Sequence, residues 1–250
     1  MRVIAIIPAR YASSRFPAKP LAMLGGVSVI ERVYSKVSEV IDKVFVATDD
    51  DRIAQCVEAF GGVAIMTSPN HKSGTDRCFE AYQKCGIEAD IVLNVQGDEP
   101  FIDAEQIRSI IKCFERKEID IATLVKPFGD NESLETLQNP NSPKVVVDKQ
   151  FRALYFSRSV IPYLRGVEPC DWLKSHTFYK HIGMYAFRSG ALSEVTALPQ
   201  SSLEIAESLE QLRWLESGYQ IGVGITNIET IGIDTPEDLE RAEEYLKTVK

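Results

Sequence analysis

The sequence predicts an α/β protein: a mostly parallel sheet with helices on both faces and an inserted mixed α+β subregion. Three observations predict it. The run Val3–Ile7 is apolar, with no polar alternation, as expected of a strand buried on both faces of a parallel sheet. Through the first half, such runs alternate with helical apolar stripes, the rhythm of βαβ units. Between about residues 127 and 190 that rhythm fails, and turn-rich stretches separate short strand-like runs. The 250 residues therefore read as a single domain, 1–250, with an insertion at about 127–190 that shapes a second substrate pocket or an oligomer interface.

Pro8 removes a backbone donor and ends the first strand. The long loop after it carries Arg10, Arg15 and Lys19 and is stiffened by Pro17 and Pro20, until Gly25–Gly26 closes it. Apolar residues at Val29, Ile30, Val33, Val37 and Val40 mark a helix over 27–40, and Lys43–Thr48 is a second strand. Ile53, Val57 and Phe60 mark a helix stopped by Gly61–Gly62, followed by a short strand at Val63–Met66. The loop Thr67–Thr75 enters a helix running to Cys85. Asp90–Gln96 is a strand, and a helix follows from about Asp103 to Arg116. Beyond it, Ile119–Val125, Lys144–Asp148, Ala153–Ser157 and His181–Phe187 read as strands, with Ile161–Ser175 irregular. A helix at about 205–217 precedes a strand at Gln220–Val223. Last comes Thr235–Pro236–Glu237–Asp238, a helix start with a capping hydroxyl, proline in the first turn and acids that complement the dipole.

The net charge of −8 argues against general nucleic-acid binding, and no apolar run approaches the length that spans a membrane. The five cysteines are odd in number and form no CxxC, and no zinc spacing involves the three histidines. The chain enters its first strand without a leader-like segment. These features together predict a cytosolic protein with free thiols.

The loop cations sit at the carboxyl end of a buried strand, where α/β sheets bind ligands, and they suit a polyphosphate; a solvated basic loop is the alternative. Asp98, in Gly97–Asp98–Glu99–Pro100, follows another buried strand and is placed for Mg2+, which prefers carboxylates plus substrate phosphates; a plain turn is the alternative. Asp234 also follows an apolar segment and reads either as a second such carboxylate or as part of a helix cap. Ser73–Gly74–Thr75–Asp76–Arg77 begins a helix, where free N–H groups can meet a ligand. Asp49–Asp51 has the look of a glycosyltransferase DxD, but capping of the next helix is the favoured reading. There is no GxxxxGK[ST] and no GxGxxG, so a nucleotide would be held by side chains and irregular loops.

PARYASSRFPAKPL, SGTDR, NVQGDEP, ALYFSR, LEQLR and GIDTPEDLE occur in that order. Together they resemble the 3-deoxy-manno-octulosonate cytidylyltransferases, or CMP-Kdo synthetases, over almost the whole chain. Two positions depart from the family pattern: Ala18 where glycine is usual and Phe16 where leucine is common. The resemblance implies a Rossmann-like fold of the nucleotide-diphospho-sugar transferase type and a homodimer. It also implies transfer of CMP from CTP to Kdo, with loss of pyrophosphate, for lipopolysaccharide biosynthesis. Arg10, Arg15 and Lys19 would neutralise the triphosphate, and Asp98 and Asp234 would hold Mg2+. Arg10, Ser73, Gly74 and Gln96 would lie near the nucleotide, with Arg158, His181, Tyr185, Glu210 and Gln211 around the acidic sugar. The runners-up are a cytidylyltransferase for another acidic sugar (8-amino-Kdo or sialic acid), a DxD glycosyltransferase and a nucleotide-binding module without chemistry.

Overall fold

The structure is a computed structural model that describes residues 1–12, 15–228 and 231–248; part of the cationic loop, Ser13–Ser14, lies outside the described residues. In chain order, β1 (Val3–Ala9) is followed by the small hairpin β2 (Met23–Leu24) and β3 (Val27–Ser28), α1 (Val29–Ser38), β4 (Val44–Thr48) and α2 (Asp51–Ala59). Next come β5 (Ala64–Met66), α3 (Gly74–Lys84), β6 (Ile91–Asn94), α4 (Ala104–Lys112) and β7 (Ile121–Pro127). The chain continues through α5 (Leu134–Gln138), β8 (Lys144–Val147), β9 (Ala153–Ser157), α6 (Trp172–Ser175) and β10 (Tyr179–Arg188). It ends with α7 (Ser189–Thr196), α8 (Ser202–Glu207), α9 (Glu210–Glu216), β11 (Ile221–Ile225) and α10 (Pro236–Thr248). The protein is a mixed α/β fold with a mostly parallel sheet flanked by helices. Two compact units are distinguished: the described residues of Met1–Ile107, Ala186–Thr196 and Glu229–Lys250, and those of Arg108–Tyr185 and Ala197–Ile228.

In the first unit, β6, β1, β4 and β5 lie side by side and all run parallel, with Ala5 opposite Val44 and Ile4 opposite Val92. β1 has a neighbour on each side, and its Ile4–Ile7 run is completely buried, which accounts for its lack of alternation. α1 turns Val29, Ile30, Val33 and Val37 inward. Side-chain caps begin α1, α2 and α3, from Ser28, Asp50 and Ser73 respectively. The helix predicted from Val27 starts two residues later, because Val27 and Ser28 pair with Met23 and Leu24 as a hairpin. Leu24 then packs with Val29, Ile233 and Ala242, and Phe16, Phe101 and Leu239 close around them. That cluster seats α10 and so the segment that carries Asp234.

In the second unit, β11 runs parallel to β7, with Ile221 opposite Ile121. β8 is antiparallel to both β10 and β9, with an irregularity at Val146/Val147. Lys144 in β8 is fully buried, its Nζ donating to the carbonyls of Asn139, Ser142 and Arg158 at 3.0, 2.9 and 2.6 Å. Three acceptors match the three donors of an ammonium and make its burial tolerable. The single helix predicted near 205–217 is instead two, α8 and α9. Ser208 between them is left-handed (φ 50°), which breaks the i to i−4 ladder.

Candidate active site

The first unit contains a cleft of about 290 Å³ at the carboxyl ends of β1 and β6. Arg10, Arg15, Lys19, Ser73, Gly74, Gln96, Asp98 and Asp234 all line it, so every residue expected around the nucleotide and metal comes to one place. Each arrives by a definite route. Lys19 opens a short 3-10 turn after the loop. Ser73 caps α3 through its hydroxyl, which accepts from the Asp76 N–H at 3.1 Å; Gly74 is the first helical residue. Gln96 and Asp98 follow β6. Gly97 between them is required by close approach, since a Cβ there would lie 2.8 Å from the Pro8 carbonyl oxygen. Asp234 is drawn in by the Ile233 N–H, which donates to the Asp98 carbonyl at 2.9 Å. Its own N–H, like that of Thr235, donates to the Asp238 carboxylate as α10 begins.

The carboxylates and cations of the cleft neutralise one another. Lys19 Nζ lies 2.6 Å from Asp98 Oδ2 and 3.1 Å from Asp234 Oδ1, and Arg15 lies 3.1 Å from Asp234 Oδ2. Arg10 makes no ion pair among the described residues. The exposed bridge from Arg15 is worth little in stability, which makes it easy to exchange for a ligand. Behind Asp98, the Glu99 carboxyl is buried with Oε2 unpartnered, and burial, reinforced by the Asp98 charge, pushes it up to about 8. No cluster of three or more His, Cys, Asp or Glu able to hold a metal occurs among the described residues. Two carboxylates sharing one cation nevertheless suit Mg2+, which takes one or two carboxylates and completes its shell with phosphates and water.

Three further polar side chains line the cleft: His71, Lys72 and Arg77. Arg77, almost fully buried, donates to Thr67 Oγ1 at 2.6 Å and pairs with Asp49 at 3.1 Å. The His71 ring nitrogen Nε2 bonds to Glu80, whose carboxylate is held down at about 2, chiefly by its bond to Lys84. The only sequence signal for Arg77 was its place in SGTDR. His71 and Lys72 sit in a polar loop with no distinguishing pattern. Asp49 and Asp50 are committed elsewhere, one to Arg77 and the other to capping α2, which is the favoured reading of that acidic run.

The residues expected around the sugar all belong to the second unit. His181 and Tyr185 project from β10 with their rings 5.4 Å apart, and Tyr185 meets Trp214 of α9 edge-on at 5.0 Å. Burial, then the nearby Glu210 charge, raises the Tyr185 phenol well above its usual range. Burial pushes His181 down to about 3, so its imidazole is neutral. Its Nε2 lies 2.9 Å from Thr123 Oγ1, a hydroxyl that also reaches the carbonyls of Ile182 and Met184. A hydroxyl that donates to a carbonyl must accept from the imidazole, which places the proton on Nε2 and leaves Nδ1 an acceptor. Gln211 is buried with Nε2 unpartnered. Arg158 donates to the carbonyls of Glu207, Pro140 and Ser208 at 2.6, 2.8 and 3.2 Å, which leaves two of its five N–H donors.

An α/β fold whose cationic strand-end loop faces paired carboxylates has the parts of a nucleotidyltransferase. Residues 4–225 match the family described as cytidylyltransferase. The 3-deoxy-manno-octulosonate cytidylyltransferase of Phocaeicola vulgatus is 64% identical over 99% of this chain and 98% of its own. That of Bacteroides thetaiotaomicron is 62% identical over 99% of each. Among solved structures, a CMP:2-keto-3-deoxy-manno-octonic acid synthetase complexed with CTP superposes with a TM-score of 0.91 at 40% identity, covering 100% of both chains. The chain belongs to the cytidylyltransferase family, and within it to the 3-deoxy-manno-octulosonate cytidylyltransferases.

Proposed function

We propose that this chain transfers CMP from CTP to Kdo, forming CMP-Kdo and pyrophosphate and activating the sugar for lipopolysaccharide biosynthesis. The observation that carries this reading is the meeting of three loop cations, the start of α3 and two carboxylates in one cleft. The anomeric hydroxyl attacks the α-phosphorus, and the bond to the β-phosphate oxygen breaks. Arg15 and Lys19 give up their carboxylate partners for phosphate oxygens, and with Arg10 they stabilise the charge on the departing pyrophosphate. Ser73, Gly74 and Gln96 border the nucleoside, and the positive end of the α3 dipole suits negative charge there. Asp98 and Asp234 would hold Mg2+, which when bound orients the triphosphate and lowers the pKa of the attacking hydroxyl.

In this reading the second unit holds the acidic sugar. The two remaining donors of Arg158 suit a carboxylate, and the Nδ1 acceptor of His181 suits a sugar hydroxyl. The insertion at about 127–190 shapes that pocket or a homodimer interface, as the family resemblance implies. The five free cysteines and the lack, among the described residues, of a helix long and apolar enough to cross a membrane support a cytoplasmic enzyme.

A pyrophosphate-release assay tests the reading, with CTP or UTP and a panel of Kdo, 8-amino-Kdo and sialic acid. Release with CTP and Kdo above all other pairs is expected. Preference for another acidic sugar would overturn the sugar assignment, and no pyrophosphate from any pair would overturn the transfer itself.

A further inference from the structure

The cationic loop is tied to a helix by contacts that touch neither carboxylate of the cleft. The guanidinium of Arg52, in the first turn of α2, lies over the Tyr11 ring with its carbon 3.3 Å from the ring centre. Asp50 grips the edge of that guanidinium with both oxygens, at 2.9 Å to Nε and 2.6 Å to Nη2. The same carboxylate accepts the Arg52 backbone N–H at 3.0 Å as the cap of α2, so side chain and helix end are fixed together. A fork along one edge of a planar cation orients its face for a ring. Tyr11 is also where the loop closes, because its carbonyl accepts the Ala18 N–H at 3.0 Å. The Ala18 carbonyl in turn accepts the Leu21 N–H at 2.8 Å in the turn that carries Lys19. A continuous set of contacts thus runs from the start of α2 through Arg52, Tyr11 and Ala18 to Lys19.

We propose that Asp50, Arg52 and Tyr11 form a clamp that positions the cationic loop, and with it Lys19 and Arg15, for the triphosphate. The inference rests on the nucleotidyl transfer proposed above. These are positioning residues, since none of the three lines the cleft. The clamp works through the face of the Tyr11 ring and not its hydroxyl, so Tyr11→Phe keeps it and Tyr11→Leu removes it. Asp50→Asn still caps α2 but loses the ionic fork. Arg52→Gln removes the cation from an exposed position where folding is not at stake.

Two readouts are measured on the full chain: hydrogen exchange at the Ala18 amide without ligand, and KM for CTP in pyrophosphate release. Tyr11→Leu, Arg52→Gln and Asp50→Asn should each speed Ala18 exchange. Each should also raise KM for CTP about threefold to fivefold, the size of an exposed cation–π contact, with KM for the sugar unchanged. Tyr11→Phe should match the parent chain in both, and Tyr11→Leu with Arg52→Gln should be no worse than either alone. Additive effects, damage from Tyr11→Phe equal to that from Tyr11→Leu, or unchanged Ala18 exchange in Arg52→Gln would overturn the clamp. If the parent chain releases no pyrophosphate, the transfer reading fails, while Ala18 exchange still decides whether the clamp exists.

Discussion

The exposed ion pairs of the first unit's cleft and three polar side chains of the second unit hold their partners differently, although Arg77 in the first unit is itself buried on fixed partners. In the first, Arg15, Lys19, Asp98 and Asp234 stand at a cleft, partly exposed, and neutralise one another. In the second, three polar side chains, one fully and two partly withdrawn from water, are matched to fixed partners. Lys144 is held by three carbonyls, Arg158 by three more, and His181 by the Thr123 hydroxyl. Exchangeable pairs suit a ligand that brings its own charge, because a triphosphate can replace a carboxylate at little cost in stability. Fixed buried partners suit a ligand recognised by shape and hydrogen-bond direction, since rearranging them would strand a polar group away from water. The contrast predicts that cleft substitutions cost activity and second-unit substitutions cost stability as well.

The largest effect is expected at the carboxylate pair. Asp98→Asn and Asp234→Asn keep side-chain size and remove a hard anionic oxygen. Each should lower turnover at least about 10²-fold, the scale of lost charge stabilisation at a transition state, while unfolding free energy changes by no more than about 1 kcal/mol. Arg15→Ala and Lys19→Ala should fall in the same direction, and Lys43→Ala, at the entry to β4, should be nearly silent. Pyrophosphate release and urea unfolding on the same samples check this. A variant that loses several kcal/mol would show that the cleft charges are structural and would break the contrast.

How much of this was legible in the sequence differs between the units for the same physical reason. The uninterrupted run of β1, its proline-stiffened loop and the helix starts at Ser73 and Thr235 carry local signals. The cleft is built where those local features end, so its cations and carboxylates could be read in advance. Arg77 could not, because its partners Asp49 and Thr67 are remote in sequence and an arginine in a helix looks like any solvated one. The break at Ser208 was equally invisible. An apolar stripe continues through it, and its reason is tertiary: the Glu207 and Ser208 carbonyls are turned toward Arg158. The helix α7 directly after β10 also went unread, as its stripe of Ala191, Leu192 and Val195 is short.

The next effect sharpens the contrast at Arg158. Arg158→Lys keeps the charge but loses the planar fork and most of the bonds to Glu207, Pro140 and Ser208. KM for the sugar should rise about tenfold, the worth of one charge-assisted hydrogen bond, with KM for CTP little changed. Stability should drop by about 1 kcal/mol, the net worth of a hydrogen bond, since the Pro140 and Ser208 carbonyls remain open to water. Steady-state kinetics varying each substrate in turn, with urea unfolding alongside, separates the outcomes. A variant that weakens CTP alone would move Arg158 to the nucleotide half of the reaction.

His181 supplies a pH test of burial. Its folded pKa, about 3, lies below the ordinary value of 6.5. Between those values the unfolded chain binds a proton that the folded chain does not, so this group's contribution is intact above pH 6.5 and is lost as pH falls. The slope is about 1.4 kcal/mol per pH unit for one proton. His181→Gln should unfold with a shallower loss of stability from pH 6.5 down to pH 4, even if it is less stable at pH 7. Parallel pH dependences in parent and variant would mean that the imidazole is accessible to protons in the folded chain and that the second unit is not as closed as its hydrogen bonds indicate.

The smallest effect concerns backbone strain, which both units carry. Ala18 in the cationic loop (φ 59°) and Ser208 between α8 and α9 (φ 50°) both occupy the left-handed region that favours glycine. The Ala18 N–H closes the loop onto the Tyr11 carbonyl in that conformation. Placing a Cβ in that conformation costs about 1 kcal/mol, and glycine removes the cost while making the unfolded chain somewhat freer. Ala18→Gly should therefore raise the melting temperature by at most roughly 2–4 °C, the shift that 1 kcal/mol produces in a chain of this size. Ser208→Gly should behave differently despite the same φ. The Arg158 guanidinium bonds to the carbonyls of Glu207 and Ser208, so a looser backbone there should reach the sugar through Arg158 and raise its KM. Ala18→Gly should leave the sugar KM alone. Calorimetry and two-substrate kinetics on the pair decide it: equal sugar KM values in the two variants would remove the distinction between an exchangeable first unit and a preorganised second one.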